Sequence, residues 1–130
     1  MEEAEEACRE ALSTYRELAQ ANPEAYLPYV ATTLNNLANL YRATQRIEEA
    51  EEACREAEGL LKPLWCANPE VHGDQMARIL GTRALVSEAL GESSTDACAL
   101  ARRAFAAAYD PGLKRGIQQL IDRVCVDSQG

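Results

Sequence analysis

Three asparagines and an arginine, Asn35, Asn36, Asn39 and Arg42, lie within the string LNNLANLYR. If that string is helical, Asn35, Asn39 and Arg42 share one face and Asn36 flanks it. An asparagine amide offers both a donor and an acceptor, so such a face can pair with the backbone of an extended peptide. The same amides can instead pair with neighbouring helices, and both uses stay open at this point. Bond-making chemistry is poorly supplied. His72 is the sole histidine, next to Gly73 in a loop or first helical turn, and no Ser or Cys is placed to pair with it as nucleophile and base. The five cysteines, Cys8, Cys54, Cys66, Cys98 and Cys125, are odd in number and form no CxxC pair, which reads as reduced cytosolic thiols. No glycine-rich phosphate loop, metal-ligand spacing or dinucleotide fingerprint appears, so the chain is expected to be no enzyme and to carry no metal and no cofactor.

The elements that must position these residues can be read from spacing. From Thr32 to Ala57 the chain alternates as two amphipathic helices folded into a hairpin. Leu34, Leu37, Ala38 and Tyr41 mark the inner face of the first helix, and Ala50, Ala53, Cys54 and Ala57 that of the second. The second set is all small, which lets two helix backbones approach closely. Thr44-Gln45-Arg46 is a short polar turn between them, so the helices are antiparallel neighbours. One hairpin cannot bury both of its apolar faces and must stack on copies of itself. The copies exist. Glu2–Ala11 recurs residue for residue as Glu48–Ala57, a period of 46, and the same offset takes Ala21-Asn22-Pro23-Glu24 to Ala67-Asn68-Pro69-Glu70.

The pattern Leu34, Leu37-Ala38, Tyr41, Ala50, Ala57 resembles the tetratricopeptide repeat. The long period and the Leu-Asn-Asn-Leu-Ala-Asn-Leu-Tyr string resemble the variety found in kinesin light chains and bacterial signalling arrays. Two positions depart from the pattern: Cys54 stands in place of an aromatic, and Arg83 in place of a leucine in the third unit. That unit also holds an extra residue near Ser93-Ser94-Thr95, since Ala97, Ala101 and Ala104 align at an offset of 47. The resemblance implies an all-α, right-handed solenoid of antiparallel helix hairpins with about six helices. It also implies a concave wall lined by the first helix of each hairpin. On that wall it places Asn35, Asn36, Asn39 and Arg42, followed by Gly81, Leu85 and Glu88 of the next unit with Arg78 and Thr82 nearby. In related repeats asparagines matching Asn35 and Asn39 contact bound peptide. The lysines with which some such repeats clamp a terminal carboxylate are absent.

The repeat frame divides the chain into a helical domain over 1–126 and a frayed tail over 127–130. Within the domain, 2–21 is the second helix of a truncated repeat, 22–66 and 67–110 are full repeats, and 111–125 is a closing helix or the start of a further repeat. Starting on a second helix points to a segment of a longer protein. Ala4, Ala7, Ala11, Leu12, Tyr15 and Leu18 should face inward from the first helix. With no partner helix there, Leu12, Tyr15 and Leu18 could support a homodimer. Asn22 and Asn68 should cap the helices that begin at Pro23 and Pro69. Pro28 either kinks its helix or marks a later start. The third helix should end near Leu64, with Trp65 anchoring the hinge between repeats, and the fifth should reach Tyr109.

Charge narrows the partners. Met1–Leu60 carries thirteen acidic and five basic residues, whereas the remainder balances at eight of each. No basic stripe exists to neutralise phosphates, which argues against nucleic acid, and no apolar run is long enough for a membrane span. The acidic helices present either a solvated outer face or a docking surface for a basic partner. The expected function is a cytoplasmic scaffold that binds a protein or peptide on the concave face. A structural spacer or self-association segment of a signalling protein, and a thiol-based redox sensor resting on Cys8 and Cys54, are the alternatives.

Overall fold

The computed structural model describes residues 2–91 and 94–125, with side chains excepted at 94 and 95. It is all-α: α1 Glu2–Ala21, α2 Pro23–Ala43, α3 Ile47–Ala67, α4 Pro69–Ala89, α5 Ser94–Ala107 and α6 Pro111–Val124. Each helix packs on the next, and α2 also touches α4. The extra residue expected near Ser93 and the tail over 127–130 lie outside the described residues and side chains. No described helix is long and apolar enough to cross a membrane.

Consecutive hairpins are joined by single residues. Asn22 donates its amide to the Leu18 carbonyl, and its own carbonyl accepts from Tyr26; Asn68 repeats this between Leu64 and His72. The backbone at the two sites is nearly identical, with φ −144° at Asn22 and −147° at Asn68. The expected caps are only half realised: Asn22 Oδ1 accepts from the Ala25 amide at 3.4 Å, whereas the Asn68 side chain caps nothing. Pro28 neither delays nor breaks α2, which runs from Pro23. The carbonyl that Pro28 leaves without a donor belongs to Glu24, an exposed residue in the first turn where water can serve. α3 also runs past its expected end, so Trp65 lies half-buried in its last turn against the core. α5 stops at Ala107, two residues short of its expected end.

The core is a row of nested faces. Leu34, Leu37, Ala38 and Tyr41 of α2 meet the small residues of α3, while Met76, Ile79, Leu80 and Ala84 of α4 are completely buried. Ala50, Cys54, Ala57 and Leu61 are likewise at 0 % exposure. The identical decapeptide in α1 behaves differently. Ala4 and Ala7 are exposed rather than inward-facing, Cys8 and Ala11 are half-buried, and Ala19 is buried. The cause is position: α3 is packed by α2 and α4, whereas α1 packs mainly on α2 and reaches α3 through the Arg16–Glu56 pair.

Polar links complete the stack. Arg46 bridges Glu5 of α1 and Glu49 of α3 at 2.7 Å each and lies over the Tyr41 ring. Arg83, which replaces the expected leucine, reaches Glu58 at 2.6 Å, and Arg103 of α5 reaches the same carboxylate at 3.0 Å. Burial raises the Glu58 pKa, but hydrogen bonds from Arg83 and Arg103 outweigh it and hold the carboxyl below its ordinary value. Cys98 and Cys125 are joined in a disulfide across 27 residues. This corrects the reading of all five cysteines as reduced thiols. The two residues are far apart in sequence, but packing of α5 against α6 brings their Cα atoms to 5.0 Å. Closing a loop of that length contributes roughly 3–4 kcal/mol by chain entropy.

The α2–α3 turn closes with the Arg46 amide on the Tyr41 carbonyl at 2.8 Å and the Gln45 amide on Arg42 at 3.3 Å. This places Gln45 in the left-handed region at φ 67°, a position that favours glycine. One period later the equivalent residue is Gly91, at φ 78°.

Two predictions follow from this geometry. Gln45→Gly should stabilise the chain by about 1 kcal/mol, because it relieves left-handed strain, and thermal unfolding would show it as a Tm rise of a few degrees. Ala57→Leu should overpack the α3 seam and cost about 1–3 kcal/mol, whereas Ala11→Leu, in the same ten-residue sequence, should change stability by less than about 0.5 kcal/mol. Urea unfolding compares the pair, and equal losses would contradict the difference in packing described above.

Candidate interaction groove

The helices that follow the Asx-Pro junctions, Asn22-Pro23, Asn68-Pro69 and Asp110-Pro111, are α2, α4 and α6, and they enclose an open groove of about 630 Å³. From α2 come Asn35, Asn36 and Asn39; from α4, Ala77, Arg78, Gly81, Thr82 and Leu85. The third wall is α6, which supplies Gly112, Leu113, Gly116, Ile117, Gln119, Leu120 and Arg123. Among the described residues no carboxylate side chain lines this groove.

Seven of the nine residues expected on or near the concave wall come together here: Asn35, Asn36, Asn39, Arg78, Gly81, Thr82 and Leu85. Arg42 does not line it. Its guanidinium turns along α2 and donates to Asn39 Oδ1 at 3.2 Å, while its Nε is buried without a partner. Asn39 is occupied at both ends, since its Nδ2 donates to the Asn35 carbonyl at 3.2 Å. Asn35 differs. Its Oδ1 is buried and accepts no hydrogen bond, leaving one unused acceptor in the wall. Thr82 is buried, with its hydroxyl donating to the Arg78 carbonyl at 3.0 Å. The Arg78 side chain is exposed and makes no ion pair among the described residues. Glu88, like Arg42, does not line the groove and pairs with Arg123 at 2.7 Å.

The α6 wall was not anticipated, because its residues carry no recognisable repeat of the Leu34–Tyr41 pattern. The signal that could have found it is the Asx-Pro start shared with α2 and α4. α6 is held at its beginning by Asp74 of α4, whose Oδ1 accepts from the Tyr109 and Asp110 amides at 2.6 and 3.0 Å. Those two amides hold the Asp74 carboxyl below its ordinary value. Gly73 permits the approach: a Cβ there would come within 2.4 Å of the Ala107 carbonyl. Asp110 then caps α6 by accepting from the Leu113 amide at 2.8 Å.

The residues considered for self-association lie elsewhere. Tyr15 stacks on Tyr29 with ring centroids 5.2 Å apart, and Leu12 is half-buried in a cleft between α1, α2 and α3. Leu18 is exposed. His72 sits half-buried in the first turn of α4. Of the cysteines considered for a sensor, Cys54 is fully buried, which pushes its thiol up to about 12 and keeps it protonated at neutral pH; Cys8 is half-buried.

Stacked antiparallel helices with a groove along one side define an all-α repeat scaffold of the kind that recognises other proteins. Residues 30–57, from the middle of α2 through the turn into α3, match the family model of the tetratricopeptide repeat. No curated protein and no solved structure matches the chain. The α2–α3 hairpin thus resembles a tetratricopeptide repeat, a kind of repeat that serves as a protein-interaction module.

Asp74→Ala should release the start of α6 and cost about 1 kcal/mol through the two lost hydrogen bonds. Because the carboxyl is held below its ordinary 3.8, this contribution is complete above that pH and is lost as the pH falls through the depressed value. The stability gap between wild type and variant should accordingly be constant near neutrality and close in acid, as measured by urea unfolding across pH.

Proposed function

We propose that the chain binds a partner protein by taking an extended segment of it into the α2–α4–α6 groove. The observation that carries this reading is the composition of the groove wall. A chain with formal charge −8 presents there asparagine amides, apolar side chains and two arginines, with no Asp or Glu among the described residues. Leu85, Leu113, Ile117 and Leu120 would receive an apolar side chain, while Arg78, which makes no ion pair among the described residues, favours a segment that also carries a carboxylate. Asn35 Oδ1 would accept a backbone N–H from the segment, and its present lack of a donor supports that role. Asn36, exposed at the rim, adds a second amide. The role is binding rather than catalysis.

Selection of random linear peptides displayed on phage, with the purified chain as bait, tests this. Enriched peptides should combine an apolar residue with acidic neighbours. The best of them, synthesised with fluorescein, should bind Asn35→Ala about fivefold more weakly, since one hydrogen bond of about 0.5–1.5 kcal/mol is removed. Arg78→Glu should weaken it further. Undiminished binding to both variants, with circular dichroism showing intact folds, would move recognition away from the groove.

A further inference from the structure

The groove has one wall that is attached differently from the others. α2 and α4 lie within the stack, whereas α6 packs on α5 with Ile117 and Val124 as its buried residues. Its first turn is fixed by Asp74 and by its own cap. Its far end carries Ile117, Leu120 and Arg123 of the groove lining, all within the eight residues before Cys125. That end is held by the disulfide from Cys125 to Cys98 of α5, the burial of Val124, the packing of Leu120 and Ile121 against the core, and the Arg123–Glu88 pair. The pair is exposed on both sides, at 57 % and 45 %, and contributes little.

We propose that the Cys98–Cys125 disulfide is a redox-reversible staple that sets the order of the α6 wall and thereby the affinity of the groove for its peptide. The proposal rests on the groove as the binding site. In the oxidised form the wall is preorganised and a bound segment need not order it. A dithiol reductant opens the bond in two steps. Its thiolate attacks one sulfur to give a mixed disulfide and expel a protein thiolate, then its second thiolate displaces the other cysteine. The reductant leaves as its own disulfide, and both cysteines take up protons. Both cysteines are 7 % exposed, so attack requires the end of α6 to open first. A peptide that braces α6 therefore slows reduction, the reciprocal of the effect on affinity. In a reducing compartment such a bond forms transiently and serves as a signal; in an oxidising one it persists. Cys8, Cys54 and Cys66 are free and take no part.

The test compares the oxidised chain, the chain reduced by excess dithiothreitol with thiols counted by mass spectrometry, and Cys98→Ser/Cys125→Ser. Hydrogen exchange needs no ligand. On reduction, amides from Ile117 to Val124 should exchange about tenfold faster while those of α2 and α3 are unchanged. Anisotropy with the fluorescein peptide selected on the oxidised chain should show affinity falling about tenfold, within the usual range for coupled sites. The double serine variant should match the reduced chain and ignore dithiothreitol. Unchanged exchange and affinity after complete reduction would overturn the proposal, as would a serine variant that still responds to reductant. If no peptide is selected at all, the groove reading fails, and the exchange measurement alone decides whether the staple orders the wall.

Discussion

The close approach of α3 to its two neighbours is the constraint on which the rest of the molecule depends. Ala50, Ala53, Cys54 and Ala57 present almost no side-chain bulk, so Leu34, Leu37 and Tyr41 on one side and Met76, Ile79 and Leu80 on the other can reach the α3 backbone. A larger residue in this seam would push α2 and α4 apart. Those two helices form two walls of the groove, so the seam that stabilises the stack also sets the groove's width. The decapeptide shared by α1 and α3 shows that the sequence of the seam is not sufficient. In α1 Ala4 and Ala7 stay exposed and Ala11 is only half-buried, because full burial requires a helix on each side.

Segregation of charge follows from the same geometry. The glutamates of α3 occupy the face left over after its alanines turn inward, those of α1 cover its outer surface, and neighbouring arginines are spent on them: Arg9 on Glu5, Arg16 on Glu56, Arg46 on Glu5 and Glu49. The groove lies on the other set of helices and escapes this acidic surface. Where the third unit departs from the repeat pattern, charge compensates for lost packing. Arg83 in place of leucine is acceptable because Glu58 meets it and is shared with Arg103, so no charge is left buried and alone.

Helical spacing and the 46-residue period made much of the architecture legible: the α2–α3 hairpin, the faces of both helices and the asparagine row are local properties of the chain. What escaped depended on distant partners. Arg42 shares a face with Asn39 on any helical projection, yet it turns back to donate to Asn39. Asn68 has the sequence and the backbone angles of Asn22 without its side-chain hydrogen bond. The third groove wall was hidden because α6 follows the Asx-Pro start of the other groove helices but not their inner-face pattern. The disulfide was hidden because a 27-residue separation says nothing of a 5.0 Å approach until α5 and α6 are packed.

The groove is thus two firm walls and one conditional wall, and its polar residues differ in the same way. Asn39 is satisfied within α2 and contributes shape and rigidity. Asn35 keeps a buried oxygen without a donor, an arrangement that costs about 1–3 kcal/mol and persists because the packed seam beneath it is stable enough to hold it. A ligand N–H delivered to that oxygen would recover the loss on binding. Recovery requires the ligand backbone to lie close against α2, and the opposing pressure must come from across the groove, where α6 stands. The firmness of α6 therefore governs how much of the energy stored at Asn35 reaches the bound state, which couples an orphaned acceptor on α2 to a disulfide on the far side of the groove.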